Sequence, residues 1–205
     1  MTNLKEAIAE QLLKIGAVVL SPNDPFTWSS GLKAPIYCDN RLTLSFPEVR
    51  SMIADGFVSL INEKDSAVDV IAGAATGGIA HAAWVSEKMN VPMVYVRGKA
   101  KGHGKKSQVE GLVHPGQKVI VIEDLVSTGG SALTVVDALK AEGCDVLGVA
   151  AIFTYGLKAA DENFAQAEIP VETLTDFHTL LDVATRSGKI SEQERRVLEA
   201  WHAKQ

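Results

Sequence analysis

The stretch Lys118-Val-Ile-Val-Ile-Glu-Asp-Leu-Val-Ser-Thr-Gly-Gly-Ser131 determines how the rest of the chain can be interpreted. Its first five residues, 118–122, are apolar enough for a buried strand, and a turn of hydroxyl and glycine residues then leads into a helix predicted at 130–142. The unpaired N–H groups of a helix start and the aligned helix dipole favour an anion at that position. The stretch therefore predicts a phosphate site.

The polar residues of this stretch predict more about the ligand than its negative charge. Ser127, Thr128 and Ser131 supply hydroxyls that would all face one phosphate. Glu123 and Asp124 follow the predicted strand, and carboxylates inside a structural core are costly unless they are paired. An ordinary capped helix start needs one hydroxyl and no acid pair. We therefore expect a ligand that carries both a phosphate and hydroxyl groups.

Length and composition favour a single cytoplasmic domain. The chain has 205 residues, of which 46% are hydrophobic, so it can bury one sizeable core. The net charge of −5 argues against a nucleic-acid partner, because nucleic-acid binders carry an excess of Lys and Arg. The N-terminal residues are charged where a signal peptide is apolar, and no run of about 18 apolar residues predicts a membrane span. Cys38 and Cys144 lack metal-ligand spacing and are expected to be reduced thiols.

Most of the chain alternates between predicted strands and helices. An amphipathic helix at 3–15 and a small β region at 17–40 precede a helix at about 47–62. Further strands are predicted at 68–72, 91–96, 118–122 and 146–153, and further helices at 78–89, 130–142, 176–187 and 192–203. This alternation is typical of a parallel α/β sheet, which binds ligands beyond the carboxyl ends of its strands.

Three connections follow such strand ends and are therefore candidates for binding: those after residues 72, 96 and 122. The first, 73–78, is rich in small residues that let a ligand approach the backbone, although such turns are also common for steric reasons alone. The second, 97–107, is long, basic and rich in glycine, which predicts a mobile lid. A solvated surface loop is the alternative for this basic run, and the negative net charge of the chain argues against it.

Three segments resemble a known family. Residues 121–131, VIEDLVSTGGS, resemble the phosphoribosyl-diphosphate (PRPP) signature of type I phosphoribosyltransferases. Within that family, the basic connection and the segment 26–37, FTWSSGLKAPIY, resemble the orotate phosphoribosyltransferases. The resemblance covers nearly the whole chain and implies one α/β domain, with a mostly parallel sheet flanked by helices. It also implies a core at about 63–160, a small hood from about 1–45 and 165–205, and a mobile catalytic loop.

The resemblance implies roles for individual residues. Lys101, His103 and Asp124 would be catalytic, and Ala75, Thr76 and Gly77 would form a diphosphate loop. PRPP would be bound by Arg97, Lys99, Lys101, His103, Glu123, Asp124, Leu125, Val126, Ser127, Thr128, Gly129, Gly130 and Ser131. The lid of the family reaches the neighbouring subunit's site, which implies a homodimer. Mg²⁺ is the implied cofactor, held mainly by substrate oxygens and water rather than by a protein metal site.

The chain departs from the family pattern at three places. Some members have Lys at Ser29, a Tyr-Lys pair at Thr76-Gly77 and Arg at Tyr155. Without these contacts, orotate is expected to be bound by Ser127, Lys33 and Arg41, or by backbone amides near 33–38. Arg41 is favoured for the carboxylate because its planar fork suits that group.

The implied activity is transfer of the 5-phosphoribosyl group from PRPP to N1 of orotate, giving orotidine 5′-monophosphate and diphosphate in pyrimidine biosynthesis. Two alternatives stay open: a phosphoribosyltransferase for another base, and a regulator that keeps the PRPP-binding fold without catalysis. In either case the expected partners are small molecules, with no nucleic acid and no membrane.

Overall fold

The computed structural model describes residues 3–28, 31, 33–63, 67–98 and 108–205. Six of its strands form one sheet: β5 (Val70–Ala74), β6 (Met93–Val96), β7 (Val109–Glu110), β8 (Lys118–Val126), β9 (Asp145–Thr154) and β10 (Val171–Asp176). Their order across the sheet is β10-β9-β8-β5-β6-β7. Neighbouring strands are parallel except β7, which runs antiparallel to β6. The predicted fold class, a mostly parallel α/β sheet, is confirmed.

Helices cover both faces of this sheet. They are α1 (Leu4–Lys14), α2 (Pro47–Asn62), α3 (Gly78–Met89), α4 (Gly130–Ala141), α5 (Lys158–Ala167), α6 (Phe177–Arg186) and α7 (Glu192–His202), with a 3-10 helix at Asn40–Ser45. Successive side chains of a strand point to opposite faces, so Ile120 packs with α1, α2, α3 and α6 while Val119 packs with α4 and α5. Two separate apolar layers result, and the polar carboxyl ends of the strands lie between the helices that begin there.

The N-terminal segment forms two short antiparallel pairs. Strand β1 (Val18–Leu20) pairs with β4 (Ile36–Cys38), and β2 (Phe26–Thr27) pairs with β3 (Lys33–Ala34). The C-terminal helices contact this region, because the Trp201 indole N–H of α7 donates to the Lys33 carbonyl at 3.1 Å. The N- and C-terminal ends of the chain therefore meet beside the sheet. The division into a core and a hood stays a prediction.

The predicted elements agree with the structure within two residues, with β8 as the exception. The strand continues to Val126 because Leu125 and Val126 pair with Phe153 and Thr154 of β9. The acid pair therefore lies inside the strand and not beyond its end. Strands β7 and β10 and helix α5 were not predicted. Helix α5 buries only Ala160 and Phe164, and its ten residues include few large apolar side chains that would mark it in the sequence.

Two predictions about the whole chain can be compared with the described residues. None of the described helices combines the length and apolar character needed to span a bilayer. Cys38 and Cys144 are both free and buried. Burial is the main cause that raises the pKa of each thiol, so neither is an activated nucleophile.

Candidate active site

A cavity of about 600 Å³ lies at the carboxyl ends of β5 and β8. It is lined by residues 75–77, 123–125 and 127–131, and by Cys38, Asp39 and Arg41. The first of these groups is the predicted diphosphate loop, which contains a cis peptide bond between Ala75 and Thr76. The other two are the acid pair, Glu123 and Asp124, and the predicted phosphate turn, residues 127–131. The fold therefore brings together three segments, 38–41, 75–77 and 123–131, whose ends lie more than 90 residues apart in the sequence.

Two helices begin at this cavity. Helix α3 starts after Gly77 and α4 after Gly129, and neither glycine supplies a side-chain cap. The N–H groups of both first turns therefore favour an anionic ligand. Gly129 has a φ of 83°, and a Cβ at this position would stand 2.6 Å from the Phe164 ring, so only glycine fits. The geometry provides two separate positions for negatively charged groups.

The acid pair of β8 divides into one buried and one accessible carboxyl. Glu123 is 5% exposed, and its two oxygens accept from the Asp124 N–H at 3.0 Å and from the Ser131 hydroxyl at 3.2 Å. Burial, and next the neighbouring Asp124, raise the pKa of Glu123 to about 8. The Ser131 hydroxyl therefore serves Glu123, whereas the sequence predicted that it would face a phosphate together with Ser127 and Thr128.

A second cavity, of about 750 Å³, opens from the first. The two share Cys38, Leu125, Ser127 and Thr128. The walls of the second are aromatic: Trp28, Tyr37 and Tyr155 line it, and the rings of Trp28 and Tyr155 are 4.9 Å apart. The Trp28 indole N–H is fixed by the Ile36 carbonyl at 3.0 Å. A planar ring system is the kind of ligand that such walls accommodate, because aromatic faces favour stacking.

Helix α7 supports the walls of this aromatic cavity. The His202 Nε2–H donates to the Tyr155 carbonyl at 2.7 Å, and the His202 ring stacks on Phe177 at 4.6 Å. Trp201 binds the Lys33 carbonyl from the same helix. The two hydrogen bonds join residues more than 40 positions apart, so no local pattern in the sequence indicated them. The available signal was the aromatic content of segment 26–37.

The two cations predicted to bind orotate lie in different surroundings. Arg41 lines the first cavity, where its Nε and Nη2 bind the two oxygens of Asp39 at 2.7 and 2.8 Å. This hydrogen bonding lowers the pKa of Asp39. The Lys33 ammonium donates to the Thr27 hydroxyl at 2.6 Å, and Thr27 lines the aromatic cavity. Ser127 is common to both cavities.

The basic connection is described only at its two ends. The Arg97 N–H donates to the Gln108 carbonyl at 3.0 Å, and the Gln108 side-chain amide donates to the Arg97 carbonyl at 2.9 Å. The Arg97 Nε also lies 3.3 Å from a Glu110 carboxylate oxygen. Lys99, Lys101 and His103 lie outside the described residues, so their roles stay predictions.

Comparison with known proteins agrees with this arrangement. Residues 47–176 match the phosphoribosyl transferase domain family. Over 198 residues the chain is 59% identical to the orotate phosphoribosyltransferase of Bacillus cytotoxicus, covering 97% of this chain and 94% of that protein. It is 58% identical to the enzyme of the same name from Staphylococcus saprophyticus, covering 97% and 98%. The chain belongs to the orotate phosphoribosyltransferases.

The fold of this phosphoribosyltransferase also matches a solved structure. The orotate phosphoribosyltransferase of Aeropyrum pernix aligns with a TM-score of 0.78 at 29% identity, covering 90% of this chain and 99% of that one. Of the site residues expected from the resemblance, Glu123, Asp124 and Leu125 of β8, residues 127–131 and residues 75–77 surround one cavity. Val126, which was also expected to bind PRPP, is buried and lines neither cavity. Asp39, Trp28, Tyr37 and Tyr155 were not among the expected residues, although they line the two cavities.

Proposed function

We propose that the chain transfers the 5-phosphoribosyl group from PRPP to N1 of orotate, giving orotidine 5′-monophosphate and diphosphate in pyrimidine biosynthesis. The observation that carries this proposal is the junction of the two cavities at Cys38, Leu125, Ser127 and Thr128. On one side, two helix starts and an acid pair suit a sugar that carries phosphates at both ends. On the other side, aromatic walls suit a planar base. The reacting atoms would meet between them.

The two phosphate ends of PRPP would occupy the two helix starts. The turn 127–131 at the start of α4 would hold the 5-phosphate, and residues 75–77 at the start of α3 would hold the diphosphate. The lid residues Arg97, Lys99, Lys101 and His103 would add positive charge where the diphosphate leaves. Their closure over the site would exclude water, which otherwise hydrolyses PRPP.

The reaction forms a bond from N1 of orotate to C1 of the ribose while the bond from C1 to the diphosphate oxygen breaks, and the proton of N1 is released to the departing diphosphate or to water. The electron pair of that bond leaves with the diphosphate, so positive charge develops on the ribose. The Asp124 carboxyl, which lines the first cavity, would bind the ribose hydroxyls and lie near this charge. Glu123 would hold the strand end through its bonds to the Asp124 N–H and to Ser131.

Mg²⁺ is part of the proposal. Among the described residues, no three His, Cys, Asp or Glu side chains come together as a metal site. Mg²⁺ is commonly bound by one or two carboxylates together with substrate phosphates and water, and Asp124 fits such a role because its carboxyl lines the cavity. When bound, the ion would neutralise negative charge on the diphosphate.

The base would lie in the aromatic cavity against the Trp28 and Tyr155 rings, which pack on each other. Ser127 would contact it from the junction. For the orotate carboxylate we now favour Lys33 over Arg41, because Lys33 binds a residue of the aromatic cavity while both oxygens of Asp39 already engage the Arg41 fork. This assignment reverses the preference expected from the sequence.

A cytoplasmic homodimer completes the proposal. The lid residues Lys101 and His103 would act in the site of the partner subunit, as the family resemblance implies. A reducing compartment suits the two cysteines, which are both free.

The decisive experiment measures the absorbance loss of orotate in the presence of PRPP and Mg²⁺. We expect orotate loss that requires both PRPP and the protein and that falls sharply in Asp124→Asn. Parallel reactions with uracil, adenine and hypoxanthine are monitored by diphosphate release. Turnover of another base with none for orotate would identify a different phosphoribosyltransferase, and no turnover of any base by folded protein would favour the regulator.

A further inference from the structure

A buried row of polar side chains lies behind the first cavity. Thr43 and His81 are 0% exposed and Asn40 is 1% exposed. Polar groups at such depth cost free energy unless they are hydrogen-bonded, and these three form one connected series that ends at Asp124. None of the three lines either cavity of the proposed active site.

The direction of each hydrogen bond follows from the groups involved. The Thr43 hydroxyl lies 2.6 Å from the Asn40 carbonyl, which can only accept, so the hydroxyl donates there. It must then accept from the His81 Nε2–H at 3.2 Å. Burial lowers the pKa of His81 to about 4, so the ring is neutral at neutral pH and carries its proton on Nε2. The Asn40 side-chain amide donates to the backbone carbonyl of Asp124 at 2.5 Å.

This series ties together three parts of the cavity wall. His81 belongs to α3, the helix that begins at the diphosphate loop. Asn40 and Thr43 belong to the 3-10 helix that is capped by Asp39. Asp124 belongs to β8. The strand residue that carries the reactive carboxyl is therefore held from behind by the same helix that begins at the diphosphate loop.

We propose that Asn40, Thr43 and His81 are positioning residues, which fix the Asp124 backbone and thereby aim its carboxylate at the ribose. The inference rests on the proposed function, because it assigns a purpose to the position of Asp124. No member of the series contacts substrate.

Two buried polar atoms of this series lack hydrogen-bond partners in the described part of the chain, which indicates that the three side chains do more than fill the core. The Asn40 Oδ1 and the His81 Nδ1 have no partner among the described residues. Each such buried atom costs free energy that an apolar side chain of similar shape would avoid. Groups that are retained at such a cost are more common near functional sites than elsewhere in a core.

The sharpest test is Thr43→Val, which keeps the shape of the side chain and removes both hydrogen bonds of the hydroxyl. We expect kcat to fall about 10- to 100-fold with the KM for PRPP changed less than about threefold, because the carboxylate is misaimed while the phosphate sites remain. Thr43→Ser should restore most of kcat, and Asn40→Ala should resemble Thr43→Val. The matched control is Thr175→Val in β10, a fully buried threonine whose hydroxyl has no partner among the described residues.

Urea unfolding of each variant separates positioning from folding. Thr43→Val with wild-type kcat in its folded fraction would overturn the proposal, as would a kcat loss that Thr43→Ser does not restore. An equal kcat loss in Thr175→Val would also overturn it, because that result would show a general effect of core substitution. If the wild-type chain consumes no orotate, the proposed function fails instead, so the two failures are distinguishable.

Discussion

The carboxyl group of Asp124 occupies the place that a side chain at position 77 would take. A Cβ built on Gly77 would overlap the carboxyl carbon and both carboxyl oxygens of Asp124. Gly77 is therefore needed for space, since its own φ of −65° is open to any residue. The lysine that some family members have at this position cannot be accommodated beside Asp124 as it stands here. The glycine and the orientation of the acid belong together in this chain.

Gly77→Ala should therefore reduce catalysis far more than stability. The new methyl group would push the Asp124 carboxyl aside, which a side chain can do by rotation. We expect kcat to fall at least about tenfold with an unfolding free energy within about 1 kcal/mol of wild type. Steady-state kinetics and urea unfolding measure the two quantities.

Gly78→Ala is the control for Gly77→Ala. Its Cβ would overlap the backbone carbonyl oxygen of Ile122, which cannot rotate away. We expect this variant to lose roughly 1–3 kcal/mol of stability or more. Equal stability losses in the Gly77 and Gly78 variants would contradict the explanation based on a movable carboxyl.

Glu123 should make the stability of the protein depend on pH. Burial is the main cause that raises its pKa from the ordinary value of 4.5 to about 8 in the folded state. The folded protein therefore binds more protons than the unfolded chain between these values. The stabilisation of the folded state by protonated Glu123 is fully present below about pH 4.5 and is lost as the pH rises through about 8.

Glu123→Gln removes this titration while keeping the size of the side chain. The difference in unfolding free energy between the variant and wild type should therefore shift in favour of the variant as the pH rises from about 5 to about 9. Urea unfolding at both pH values measures the difference, and Asp145→Asn, a change at an exposed residue, controls for general charge effects. A difference that is independent of pH would show that Glu123 titrates normally.

His202→Phe should weaken binding of the base and leave PRPP binding unchanged. The substitution keeps a ring to stack on Phe177 but removes the hydrogen bond to the Tyr155 carbonyl. A lost hydrogen bond of about 1 kcal/mol corresponds to a rise in the orotate KM of about fivefold. His178→Phe is the control, because His178 is exposed and also contacts Phe177. A matching rise in the KM for PRPP would contradict a role confined to the base.

Mixed subunits test the proposed sharing of the lid. A Lys101→Ala subunit keeps its own Asp124, and an Asp124→Asn subunit could supply Lys101 to it. If the lid acts across a dimer, one of the two sites in each heterodimer is complete, and random mixing should give about a quarter of wild-type activity. Each variant alone should be nearly inactive. Verified heterodimers with no activity would show that Lys101 acts within its own subunit, and a monomeric protein would refute the dimer.

The sequence predicted those features that depend on short-range patterns. Two helix starts have caps that their own sequences specify: Ser191 and Glu194 form a capping box, and the Asn3 side chain accepts from the Glu6 N–H at 2.9 Å. The phosphate turn followed from the types of five adjacent residues. Such signals are local, because a helix start or a strand is specified largely by its own residues.

Other features depend on contacts between distant residues and left no such signal. Strand β10 has only two apolar residues, Val171 and Leu174, without the alternation of a half-buried strand, and its pairing with β9 at the edge of the sheet is what makes it a strand. The engagement of the Ser131 hydroxyl by Glu123 required the position of β8 relative to α4. The support of Tyr155 by His202 joins two segments whose proximity only the complete fold determines.

The two joined cavities are built from different parts of the chain. The ends of strands β5 and β8 and the helix starts that follow them form most of the proposed sugar side, whereas the proposed base side is lined by Trp28, Tyr37 and Tyr155 and supported by α7. Mutations that alter base preference can therefore accumulate in one set of segments while the residues around the ribose are left unchanged. Under the proposed function, such a division would let the choice of base change by gradual substitution on one side without loss of the transfer chemistry on the other.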